Sequence, residues 1–135
     1  MRHDGPQALF QAYVDGWVHG DPAEILAVLD PDCVIVESHG PTYRGTKSVA
    51  RWIAEWFGAG GVVEAWDVTS FYHQGTAAFV EWDFTCVFAG NRTRFAGASV
   101  LQCSGGRIRE LHEYRMTEAP FDWTAQEAGG GAAAG

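Results

Sequence analysis

The run Gly58-Ala59-Gly60-Gly61 divides the chain into two hydrophobic regimes. Just before it, Val49, Trp52, Ile53, Trp56 and Phe57 fall at i, i+3, i+4, i+7 and i+8, the pattern of an amphipathic helix. From Val62 onward the period is two. Glycine-bearing turns at Gln74-Gly75, Ala89-Gly90-Asn91 and Ser104-Gly105-Gly106 separate four runs of about ten residues, which predicts antiparallel strands joined as hairpins. Strands of that length with one apolar face curl around whatever covers that face.

The cover lies upstream. Asp4-Gly5-Pro6-Gln7 offers a cap and a first-turn proline, and Phe10, Val14, Trp17 and Val18 follow at helical spacing, so a helix is expected over about residues 5–19. Gly20 ends it. Asp21-Pro22-Ala23-Glu24 is a second capping box, opening a short helix expected to end near Asp30-Pro31. Residues 33–38 are short and β-branched and read as the first strand, closed by His39-Gly40-Pro41; the third helix starts after Arg44-Gly45-Thr46. Helix, helix, strand, helix and four strands give an α+β domain, a strongly curved antiparallel sheet wrapped over three helices with a cone-shaped interior. Residues 1–120 read as one domain and 121–135, ending in a Gly/Ala run, as a flexible tail.

Composition restricts partners. The chain has 135 residues, 47% of them hydrophobic, enough for a core without a metal or disulfide staple. Nine Lys and Arg against 17 Asp and Glu leave a net charge of -8 with no basic run, which argues against nucleic acid and anionic membrane. No apolar stretch approaches the ~20 residues of a membrane helix and no apolar signal opens the sequence, so a cytoplasmic location is expected. Cys33, Cys86 and Cys103 are far apart and outside any zinc-ligand spacing; they read as small buried hydrophobes. Asn91-Arg92-Thr93 matches a glycosylation sequon only in the sense that such matches arise by chance.

Several segments carry a family resemblance. Phe10-Gln11-Ala12-Tyr13 through Gly20-Asp21, then Ile25-Leu26-Ala27-Val28-Leu29, Tyr43-Arg44-Gly45, and Gly106-Arg107-Ile108 through Leu111-His112-Glu113-Tyr114 resemble the nuclear transport factor 2-like superfamily, its SnoaL-like branch most of all. The resemblance covers about residues 7–118. It implies a cone open at one end, a ligand pocket between sheet and helices, and a homodimer formed through the outer sheet face. Ketosteroid isomerase, limonene epoxide hydrolase, scytalone dehydratase and polyketide cyclases share it with non-catalytic domains, so it specifies fold more sharply than function.

Against the ketosteroid isomerase pattern, Tyr13 falls at the oxyanion-hole tyrosine and Glu37 at the carboxylate base, while Ser99 stands where that family has a protonated aspartate. Against the epoxide hydrolase pattern, Glu113 matches an acidic residue of the fifth strand, but Trp82 and Phe84 replace an arginine and an aspartate, which breaks the water-activating triad.

Strand parity places Trp82, Phe84, Cys86 and Phe88 on one face and Ser99, Leu101 and Cys103 together on the next strand. The fifth strand reads two ways. The family register turns Leu111 and Glu113 inward, whereas Ile108, Tyr114 and Met116 form a more apolar set of opposite parity. With both acids inside, Glu37 and Glu113 share an apolar pocket, and desolvation with mutual repulsion raises at least one pKa. The other reading pairs each with Arg44, Arg51 or Arg115. Tyr13 is an oxyanion donor or a packed aromatic, and His39, at the pocket mouth, a proton shuttle or an exposed turn residue.

The resulting expectation is a cofactor-independent, metal-free acid/base enzyme working through an enolate on a hydrophobic cyclic or polyketide-like carbonyl compound. Glu37, Tyr13, Glu113, Ser99 and His39 form the expected catalytic set. Trp17, Trp52, Phe57, Trp82, Phe84 and Leu101 are the expected ligand contacts. The second class of function is a non-catalytic ligand-binding or dimerisation module of the same fold.

Overall fold

The computed structural model describes residues 5–124. Nine elements follow in order: α1 (Pro6–His19), α2 (Pro22–Ala27), β1 (Leu29–Val36), β2 (Thr42–Arg44), α3 (Gly45–Gly58), β3 (Val62–Gln74), β4 (Ala77–Phe88), β5 (Asn91–Ser104) and β6 (Arg107–Arg115). The strands make one open sheet in the order β2-β1-β6-β5-β4-β3. This is the expected α+β cone, three helices under a curved sheet. Of the expected tail, residues 125–135 lie outside the described residues.

Local chemistry sets the helices. Gly20 ends α1 in the left-handed region at φ 65°, its N–H capping α1 carbonyls. Asp21 Oδ1 accepts from the N–H groups of Ala23 and Glu24 at 3.1 and 3.3 Å, so the cap forms as the sequence suggests. Glu24 does not close the box; it pairs with His19 Nδ1 at 2.8 Å instead. The N-cap of α1 is Gly5, without a side-chain bond.

The sheet departs from expectation in three respects. It is mixed: β1 runs parallel to β6, while the remaining pairs are antiparallel. A short strand, β2, intervenes between β1 and α3, and three residues are too few to show a period. The second helix stops at Ala27 and β1 begins at Leu29, four residues before Cys33, because the Val28 carbonyl accepts from Ile108 N–H and draws the chain onto β6.

Curvature comes from bulges. In β3 the register slips between Val63 and Ala65 and again between Val68 and Ser70. In β6, Cys103 faces Ile108 and Gln102 faces Glu110, leaving Arg109 unpaired. That single bulge resolves the fifth-strand ambiguity: Ile108 faces inward before it, and Leu111 and Glu113 face inward after it. Both apolar sets contain inward residues, because parity inverts at Arg109. Tyr114 and Met116 are exposed.

Leu9, Phe10, Val14, Ile25, Ile35, Val49, Ile53, Leu101, Ile108 and Leu111 fill the closed end of the cone, each essentially inaccessible. Cys33, Cys86 and Cys103 are free and buried, as the alternation suggests. Among the described residues no helix is long and apolar enough to cross a membrane.

Candidate functional site

The open end of the cone holds a cavity of about 490 Å³. Its walls are aromatic: Tyr13 and Trp17 from α1, Tyr43 from β2, Trp52 and Trp56 from α3, Trp66 from β3, Trp82, Phe84 and Phe88 from β4, and Phe95 from β5. Tyr43 and Trp52 stack with centroids 4.3 Å apart and planes 9° from parallel, and Trp17 lies 5.0 Å from Trp52.

Two carboxyl groups face this cavity. The parallel register sets Val36 against His112, which brings Glu37, just past β1, to the level of Glu113 on β6. Glu37 also opens a tight turn, its carbonyl accepting from Gly40 N–H and its N–H donating to the Pro41 carbonyl, each at 2.9 Å. The turn returns the chain so that Tyr43 pairs with Ile35, and its hydroxyl donates to Glu37 Oε1 at 2.6 Å. Burial, reinforced by that bond and by the Glu37 charge, pushes the Tyr43 pKa up.

Glu113 is held differently. Its Oε2 is sealed from solvent without a hydrogen-bond partner. Burial first, and the neighbouring Glu37 carboxylate second, raise its pKa to about 8. At neutral pH Glu113 is therefore mostly a carboxylic acid, a proton donor. Tyr13 is fully buried beside the pair, and burial and then Glu113 keep its hydroxyl protonated far above the ordinary tyrosine range.

The arginine alternative does not occur. Arg51 binds Glu55 at 2.9 Å, Arg115 lies over the Phe95 ring at 4.1 Å, and neither Glu37 nor Glu113 is in an ion pair among the described residues. His112 points to the outer face, 3.5 Å from Glu110, so it cannot join Glu113 around one ion. No three His, Cys, Asp or Glu side chains converge at metal-binding distance among the described residues.

The SnoaL-like domain family matches residues 10–111, which spans α1 through the middle of β6. The chain belongs to the SnoaL-like family. Several solved structures share the fold. An LEH-like epoxide hydrolase from M. tuberculosis is 18% identical with a TM-score of 0.72, covering 80% of each chain. A protein named as a SnoaL-like polyketide cyclase from Shewanella putrefaciens is 12% identical with a TM-score of 0.70, over 81% of this chain and 88% of its own. A hypothetical protein with a ketosteroid isomerase-like fold from Catenulispora acidiphila, solved with trimethylamine, is 19% identical with a TM-score of 0.69, over 82% and 85%. No functionally curated protein matches. At these identities the likeness is one of fold.

Within this SnoaL-like cone the expected site residues divide. Tyr13, Glu37, His39, Trp17, Trp52, Trp82, Phe84 and Glu113 line the cavity, His39 as an exposed residue at its mouth. Three do not. Ser99 is fully buried and its Oγ accepts the Trp82 indole N–H at 2.9 Å, so it anchors a wall instead of facing a ligand. Phe57 packs on Trp17 at 5.3 Å, behind the wall, because the helix turns it toward α1. Leu101 belongs to the closed end, on the ladder rung opposite Leu111.

Sequence reasoning missed several lining residues, among them Tyr43, Trp56, Trp66, Phe95 and Arg115. Tyr43 had a signal: the Gly40-Pro41 turn is short enough to return a neighbouring strand. Trp66 had none, since the β3 bulge at Glu64 sets its orientation. Arg115 has the parity of Glu113 and would have followed from it.

Proposed function

We propose that this SnoaL-like protein is a cofactor-independent acid/base enzyme acting through an enolate on a hydrophobic cyclic or polyketide-like carbonyl compound. One observation carries the reading: two carboxyl groups with opposed environments, Glu37 tethered by Tyr43 and Glu113 sealed and unpartnered, face a single aromatic cavity. Divergent environments are how one site runs base and acid chemistry at one pH.

Glu37 takes the proton from the carbon next to the carbonyl. The C–H bonding pair becomes the enolate double bond, and the carbonyl oxygen takes the negative charge. Tyr13 and protonated Glu113 donate hydrogen bonds to that oxygen. The ladder supports Glu113 as the second donor: Ser99, which stands at the position of a protonated acid in ketosteroid isomerases, pairs across from it. Isomerisation ends when Glu37 returns the proton to another carbon of the enolate system. Dehydration ends when the carbonyl re-forms, the enolate carbon pair makes the new double bond and the expelled β-hydroxyl takes the Glu113 proton. Aldol cyclisation ends when the enolate carbon attacks a second carbonyl carbon of the substrate, whose π pair moves to its oxygen and takes the proton from Glu37. The aromatic walls favour a flat ring system.

The test is turnover of a screened cyclic ketone by wild type, Glu37→Gln and Tyr13→Phe. Loss of about 10²-fold or more in kcat for Glu37→Gln supports the reading. Equal turnover by all three sinks it, and binding without chemical change assigns the cavity to a ligand-binding module.

A further inference from the structure

Among the described residues Arg115, an exposed side chain, is the one Lys or Arg that lines this cavity. It lies two residues after Glu113 on β6 and shares its inward parity, which sets the two about 7 Å apart along the strand. The closed end of the cone is on the Leu111 side, so Arg115 stands toward the mouth and Glu113 deeper. Its guanidinium carbon sits 4.1 Å from the Phe95 centroid. Its charge also reaches the cavity wall at Cys86, whose thiol is raised by burial and by Glu64 and drawn back by Arg115.

No carboxylate pairs with Arg115 among the described residues, although Arg51 and Arg92 each find one, Glu55 and Glu64. The contact with Phe95 is one of charge over a ring and uses no hydrogen-bond acceptor, and a guanidinium's planar fork of N–H donors fits a carboxylate in two parallel hydrogen bonds. Its cross-strand partner is Gly97, where a Cβ would stand 2.5 Å from the Trp82 ring. The wall beside the cation is therefore a flat aromatic surface.

These features give the cavity a polarity. A substrate carboxylate at the inner end would meet the Glu37 carboxylate; one at the mouth meets Arg115. We infer that Arg115 selects the substrate: it receives a carboxylate on a ring system whose carbonyl lies inward at Tyr13 and Glu113, so the substrate class is a cyclic keto acid and not a neutral ketone. The placement of the carbonyl rests on the acid/base reading above; the carboxylate preference rests on Arg115 itself.

The experiment uses two probes of one shape, 6-hydroxy-2-naphthoate and its methyl ester, titrated calorimetrically into wild type, Arg115→Gln, Arg115→Lys and Tyr13→Phe. The phenol stands for the enolate oxygen and the carboxylate for the anchored group. The acid is expected to bind wild type about tenfold or more tightly than the ester. Arg115→Gln should collapse that ratio to about one, Arg115→Lys should leave it intermediate because the planar fork is lost, and Tyr13→Phe should weaken both probes alike. Equal affinity of acid and ester for wild type, or an equal loss of both in Arg115→Gln, overturns the inference; if Tyr13→Phe still weakens both, the acid/base reading survives it. Failure of both probes to bind overturns both. A preserved acid preference with full turnover by Glu37→Gln overturns the acid/base reading alone.

Discussion

Glu113 faces Ser99 across the β5–β6 ladder, and the two differ in what they do with their oxygens. Ser99 Oγ accepts the Trp82 indole N–H at 2.9 Å, while Glu113 Oε2 has no partner. The serine is thereby committed to the wall. The acid beside it is left as the group whose protonation the cavity controls.

Carboxyl-carbon NMR should find Glu113 titrating near pH 8, and Glu37→Gln should lower that value by removing the adjacent charge. Stability follows with a definite sign. The folded pKa exceeds the unfolded value of about 4.3, so the folded state binds more protons between them. This contribution is full below about pH 4.3 and is lost as pH rises toward 8. Thermal melts should show that decline in wild type and a flatter profile in Glu113→Gln.

Tyr43→Phe removes the 2.6 Å bond to Glu37 but keeps the ring stacked on Trp52. Hydrogen bonds to charged groups contribute about 1.5–3 kcal/mol, so kcat/KM should fall roughly 10- to 100-fold. The melting temperature should move little. A large loss of stability without loss of activity would assign Tyr43 to structure.

Ser99→Ala leaves the Trp82 N–H buried without an acceptor. Urea denaturation should register a loss of about 1–3 kcal/mol. The pH dependence of turnover should keep its shape, since Ser99 does not face the ligand. A shifted profile would restore Ser99 to the donor set.

Gly97→Ala tests the wall from behind. A Cβ there would lie 2.3 Å from the Tyr114 carbonyl oxygen and 2.5 Å from the Trp82 ring, and both must yield. Overpacking of this kind costs about 1–3 kcal/mol. Near-UV circular dichroism should report the displaced indole.

Tyr72, Phe79 and Val100 form one row across the outer face, Tyr72 paired with Phe79 and Phe79 with Val100, all exposed. An exposed apolar row of this kind is a surface that a second copy would cover. Light scattering after size exclusion should give twice the mass of one chain for wild type and the monomer mass for Phe79→Glu. A wild-type monomer would leave the row solvent-facing.

Much of the architecture was written locally. The period change at Gly58-Ala59-Gly60-Gly61, the caps at Gly20 and Asp21 and the three glycine turns fixed which segments are helix and which strand, because capping, φ freedom and alternation act over a few residues. The same alternation turned Trp82 and Phe84 inward, and the family resemblance pointed to Tyr13 and Glu37. Other features needed the folded chain. The bulge at Arg109 inverts the parity of β6 and so decides that Glu113 faces the cavity, yet no local composition marks it. The parallel pairing of β1 with β6 joins residues about 75 positions apart, and it alone brings Glu37 level with Glu113. Proton affinity is less local still: Glu113 owes its raised pKa to walls contributed by helices and strands from across the chain and to a second carboxylate, a sum over space that a one-dimensional pattern does not contain.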